Sequence, residues 1–151
     1  MKKENISTLL KWVTVAILGL SLVLFICPYV FIDGENYNPI KMLQEINENK
    51  DYIRSDAMFE TIIVFIIPMV LTFISAIIMI FRISIPKCVI CVILNIISIL
   101  LYYALFTISF LDVNGDNIKF GLIGNIIIAV LGIILPIVNI VVKKVFAKNK
   151  N

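Results

Sequence analysis

The chain contains no histidine. Without it, neither a Ser-His-Asp nor a Cys-His nucleophile can be assembled. A tetrahedral zinc site of the usual Cys/His kind is also unavailable, because the remaining donors of that set are Cys27, Cys88 and Cys91, and Cys27 is remote from the other two. Glycine is sparse, at six residues, and no glycine-rich phosphate loop is present. Charge is scarce as well: 15% of residues are charged against 61% hydrophobic. A soluble domain of 151 residues could not cover that much apolar surface with so few ions. No cofactor, metal or nucleic-acid partner is expected, and the chain is not expected to be an enzyme.

The charges present are clustered. Residues 12–32, 61–81, 88–111 and 120–142 contain no Asp, Glu, Lys or Arg. Each run reaches the roughly 20 apolar residues that a helix needs to cross a ~30 Å hydrocarbon layer. Isoleucine and valine abound in these runs and would favour strands in water. In lipid, however, each backbone N–H must be paired within its own segment or in a closed barrel, and continuous apolar runs lack the alternation of barrel strands. The expected fold is an all-α membrane protein: one polytopic domain over residues 1–151, forming a four-transmembrane-helix antiparallel bundle. Lys2, Lys3 and Lys11 ahead of the first run resemble a signal-peptide n-region. The run is too long for an h-region, and bulky Ile26 stands before Cys27 where a cleavage box needs a small residue. The first span is therefore read as a retained anchor.

The polar segments alternate in sign. Lys2, Lys3, Lys11, Arg82, Lys87, Lys143, Lys144, Lys148 and Lys150 fall on one side with a single acid, Glu4. Most acids fall on the other, in the loop 33–60 and around Asp112 and Asp116. The rule that short basic loops stay inside places both termini, and the basic tail 143–151, in the cytoplasm of a cell membrane. The wealth of Ile, Asn and Lys suggests a bacterial source with an AT-rich genome.

Within the first outer loop, Asn38 can cap a short helix and Pro39 suits its first turn. Ile40, Leu43 and Ile46 then share a face, giving an amphipathic helix that packs on the bundle, with Tyr37 and Tyr52 as interfacial aromatics. The second loop, Asp112-Val113-Asn114-Gly115-Asp116-Asn117, resembles the start of a calcium loop. Asn117 replaces its glycine and Ile123 its bidentate glutamate, so a plain helix-joining turn is expected instead.

The third span is the most informative. At about 100° per residue, Cys88, Cys91, Asn95, Ser98, Tyr102 and Ser109 fall in one stripe about 80° wide. Gly121, Asn125, Ala129, Gly132, Pro136 and Asn139 form a stripe on the fourth span, and Pro68, Thr72, Ser75 and Ala76 share a side of the second. Small and weakly polar residues in lipid turn toward neighbouring helices, so Ser75, Asn95, Ser98, Tyr102, Asn125 and Asn139 are the candidate polar seam. Asn95 and Ser75 are expected at similar depth and form a plausible pair. Pro68 and Pro136 are expected to disturb their helices. Cys88 and Cys91 form a C-x-x-C candidate thiol pair for which packing, acylation and redox chemistry are the readings.

No charged side chain enters any span, which disfavours proton-coupled transport. Four spans with a larger first outer loop are similar in plan to claudin-like proteins, but that family's outer-loop tryptophans and paired cysteines are absent, the sole Trp being Trp12. The expected role is a non-enzymatic accessory or interaction subunit, or modulator, of a membrane complex. A small oligomeric channel or transporter component is the alternative, and a membrane thiol-redox protein a third reading. The expected partners are the lipid bilayer and either other membrane subunits or a second copy of the chain.

Overall fold

The computed structural model describes residues 3–32, 34–49, 57–81, 84–104 and 118–148. Tyr52, Ser109 and the Asp112–Asn117 turn lie outside the described residues. The chain is mostly helical. Its elements are α1 (Lys3–Leu24), β1 (Val30–Ile32), β2 (Glu35–Tyr37), α2 (Pro39–Glu48), α3 (Ala57–Thr61), a π-helical turn (Ile62–Ile66), α4 (Ile67–Ile80), α5 (Ile85–Ala104) and α6 (Phe120–Lys148). Four helical stretches are long and apolar enough to cross a membrane: Ile6–Leu24, Phe59–Ile80, Ile85–Ala104 and Phe120–Val145.

The first apolar run is not one helix. α1 stops at Leu24, and the chain turns through Phe25–Cys27 before Pro28, which has no N–H to donate. Residues Val30–Ile32 then pair antiparallel with Glu35–Tyr37 in the register Val30 to Tyr37 and Ile32 to Glu35. Gly34 sits in the connection at φ 86°, a left-handed conformation that suits glycine in a tight hairpin. The hairpin is tied to the start of α6: Val30 bridges Ile118, the Lys119 N–H donates to the Tyr29 carbonyl at 2.8 Å, and the Gly121 N–H donates to the Pro28 carbonyl at 2.8 Å. Apolar composition alone could not reveal this break, since Val30 is as buried at the bundle's end as a span residue would be.

α2 forms where its cap chemistry places it. The Asn38 side-chain oxygen accepts from the Lys41 N–H at 2.8 Å, and Pro39 opens the helix. Its buried face differs from the expected one: Pro39, Met42 and Ile46 are covered, while Ile40 is exposed. The hairpin sets the roll of the helix, turning Met42 rather than Ile40 onto the cluster of Tyr29, Val64, Phe65, Tyr102 and Leu122.

At Pro68 the helix changes pitch. The Ile67 N–H reaches back to the Ile62 carbonyl, one residue further than in an α-helix, directly before the residue that cannot donate. α6, by contrast, runs through Pro136 and continues to Lys148, so the basic tail begins as helix. α1 and α5 each pack between α4 and α6, closing a four-cornered bundle. Its polarity is inverted relative to a water-soluble protein: Thr14, Ser21, Thr72, Ser75, Asn95, Ser98, Asn125 and Asn139 are buried, while Leu20, Ile77, Ile93, Ile97, Ile127 and Ile134 face outward.

Candidate functional site

The buried polar residues form a seam along the bundle. At the end where α1 begins and α6 finishes, the Ser7 hydroxyl on α1 donates to the Asn139 side-chain oxygen on α6 at 2.9 Å. Deeper in, the Asn95 amide on α5 donates to the Ser75 hydroxyl on α4 at 3.1 Å and to its own helix at the Cys91 carbonyl, 2.8 Å away. Ser75 in turn donates to the Leu71 carbonyl at 3.0 Å. The Asn95 amide and the Ser75 hydroxyl thus find acceptors inside the bundle.

One turn further, the Pro68 carbonyl gathers two hydroxyls. Ser98 on α5 and Thr72 on α4 each lie 3.0 Å from it, and 3.4 Å separates the two hydroxyl oxygens. The π turn and these contacts coincide at the same proline.

At the hairpin end, the Asn125 amide donates to the Tyr29 hydroxyl at 2.6 Å and to the Gly121 carbonyl at 3.1 Å. Tyr29 meets Phe65 edge-on, with ring centroids 5.7 Å apart. Burial pushes the Tyr29 phenol above its ordinary pKa, outweighing the opposing effect of its hydrogen bonds. The approach of α6 to Pro28 requires Gly121, because a Cβ there would come within 2.6 Å of the Pro28 carbonyl oxygen. Among the described residues, the side-chain oxygens of Asn95 and Asn125 and the Thr61 hydroxyl are buried without a hydrogen-bond partner.

All six expected seam residues are buried, but they do not form one continuous chain of contacts. Ser75 pairs with Asn95, and Ser98 joins the Pro68 carbonyl. Asn125 and Asn139 instead find partners in Tyr29 and Ser7, at the two ends of the α1 segment. Beyond the expected seam, α1 carries a polar stripe of its own, in which Ser7, Thr14 and Ser21 recur every seven residues. That spacing was the available signal: Thr14 and Ser21 are fully buried and donate to the Leu10 and Leu18 carbonyls, each at 2.7 Å.

Cys88 and Cys91 are free thiols buried in the first two turns of α5. They pack against Met79 of α4, with Val15, Ile78 and Ile140 around them. The Cys91 thiol donates to the Ser75 carbonyl at 3.5 Å. No group of three His, Cys, Asp or Glu side chains that could hold a metal occurs among the described residues.

Outside the bundle, Lys41 on α2 forms an ion pair with Glu35 on β2 and lies over the Tyr37 ring, 4.8 Å from its centroid. The hydrogen bond and charge of Lys41 hold the Glu35 carboxyl below its ordinary pKa.

The chain matches no family model, no curated protein and no solved structure.

Proposed function

We propose that the chain is a multi-pass protein of the cell membrane, an antiparallel four-span bundle with both termini in the cytoplasm. In this reading it acts as a non-enzymatic accessory or interaction subunit of a membrane complex. One observation carries it. The amides and hydroxyls of the long helices turn inward and bond mostly within the chain, leaving outward helical faces of Ile, Leu and Val. Such a body has little chemistry to offer a substrate and a broad apolar surface to offer lipid or other helices.

The orientation is supported by charge. Lys11, Lys87, Lys143 and Lys144 belong to the segments at the end where Ser7 meets Asn139, and Glu35, Glu45 and Glu48 belong to the hairpin and α2 at the other. Basic residues beside spans favour the cytoplasmic side. A reporter fused to the C-terminus should be active only in the cytoplasm, and extracytoplasmic activity would reverse the orientation.

The subunit role is tested by purification from native membranes in mild detergent. A defined partner should co-purify in fixed stoichiometry and be lost when outward residues such as Ile93 and Ile97 are replaced by bulkier side chains. A lone monomer under all mild conditions would overturn the role. The unpartnered oxygens of Asn95 and Asn125 favour a second reading, a permeation unit along the seam. Solute flux in liposomes, altered by Asn95→Leu and Tyr102→Leu, would support that alternative.

A further inference from the structure

Three sulfur-bearing side chains share one buried cluster near the start of α5. Cys88 and Cys91 lie three residues apart on one face of α5, and Met79 of α4 completes their buried cluster. The register between the helices brings them together: the Cys91 thiol reaches the Ser75 carbonyl, and Met79 is one turn beyond Ser75 on the same face of α4. All three residues are at most 1% exposed. Their partly buried hydrophobic neighbours are Val15, Ile78 and Ile140, and the oxygen that meets the Cys91 thiol is the Ser75 carbonyl.

We propose that Cys88, Cys91 and Met79 form a binding site for one soft monovalent metal ion, Cu(I). Thiolate and thioether ligands select such ions, whereas calcium and magnesium require oxygen ligands. Zinc sites are completed by four ligands of the Cys/His/carboxylate kind, and this cluster supplies two. Cu(I) is satisfied by two or three sulfur atoms, the number present.

The binding step balances without an electron donor or acceptor. Two S–H bonds are replaced by two Cu–S bonds, two protons leave to water, and the thioether adds as a neutral donor. Copper remains in the +1 state. Two thiolates and one monovalent cation leave a single negative charge in the site. The positive charge of Lys143 on α6 is felt at Cys88 and partly offsets that charge. Cys88 is the fourth residue of α5 and stands one turn from the helix's first residue, Ile85.

From sequence alone, Cys88 and Cys91 are a thiol pair without the further ligands of a tetrahedral zinc site. Met79 could not be added from sequence, because its place beside the pair depends on how α4 and α5 meet. The inference is independent of the proposed subunit role. A chain with no partner could still bind copper, and a subunit with partners could fail to.

The test is an anaerobic titration of the full chain, reconstituted in lipid nanodiscs and fully reduced, with Cu(I) in competition with bicinchoninate. One Cu(I) per chain should be withdrawn from the chelator. Cys88→Ser and Cys91→Ser should each weaken binding by at least the roughly 10–100-fold that losing even an outer-shell partner costs a metal site. Met79→Leu should weaken it by about tenfold, at the low end of that range, and Cys27→Ser should leave it unchanged. X-ray absorption of the copper-loaded wild-type chain gives a readout that needs no variant, and a sulfur-only first shell is expected. The proposal is overturned if the chelator retains all the copper, if the shell contains nitrogen or oxygen, or if folded Cys88→Ser and Cys91→Ser chains bind as wild type does.

Discussion

Gly132 of α6 lies directly against the side chain of Asn95 on α5, so that a Cβ at position 132 would come within 2.6 Å of both the amide carbon and its oxygen. The contact joins the seam to the helix packing. Asn95 can hold the Ser75 hydroxyl only while α6 stays out of its way. Gly132→Ala should force the amide aside and destabilise the bundle by about 1–3 kcal/mol, the usual cost of overpacking. Gly19→Ala is the control, because a Cβ there meets nothing within 4 Å. It should be neutral or mildly stabilising, as alanine favours helix over glycine. Reversible unfolding in mixed detergent micelles measures both.

The Asn95–Ser75 hydrogen bond should be real but modest. A double-mutant cycle with Asn95→Leu and Ser75→Ala is expected to give a coupling of about 0.6 kcal/mol, and no more than about 2 kcal/mol. A larger value would mean that Asn95 also holds something beyond this pair.

Tyr29 and Asn125 should matter more. Tyr29→Phe removes the acceptor of a buried amide donor, which costs about 1–3 kcal/mol when no substitute is found. The same burial predicts a titration. The Tyr29 phenol should stay protonated as pH rises past about 10, where an ordinary tyrosine ionises. Ultraviolet difference titration of wild type against Tyr29→Phe isolates its signal. Because the folded-state pKa lies above the unfolded one, any effect of this group on stability is complete below the unfolded pKa and fades as pH climbs through the folded value.

Glu35 should titrate below the ordinary glutamate range, and Lys41→Gln or high salt should return it toward that range. A depressed carboxylate pKa contributes stability above the unfolded value, and this is lost as pH falls through the folded one. Both partners are solvent-exposed, so the global unfolding midpoint should scarcely move. Carbon-detected NMR of the Glu35 side chain reads the shift directly.

How much of this was legible in the sequence depended on the range of the cause. The α2 start was legible because Asn38 and Pro39 act within one turn. Ser75 and Asn95 could be paired because depth along a span follows from residue count. The end of α1 at Leu24 was not legible, because Val30-Phe31-Ile32 has the same composition whether it continues a span or folds into a hairpin beneath α2. The roll of α2 was hidden for a related reason: Ile40 and Met42 are both apolar, and only the attached hairpin decides between them. Partners for Asn125 and Asn139 were missed because they come from the first segment, whose polar residues were not read as a stripe.

The central claim is that the seam is a dry, packed interior rather than a water-filled lining, and the native cysteines report on it without mutation. Cys27 is partly exposed at the hairpin end, whereas Cys88 and Cys91 are buried on the seam. Liposome-reconstituted protein would be treated with a water-soluble maleimide and mapped by mass spectrometry before and after unfolding in dodecyl sulfate. Cys27 should label in the native state, and Cys88 and Cys91 only after unfolding. Native-state labelling of Cys91 at a rate like that of Cys27 would contradict the account.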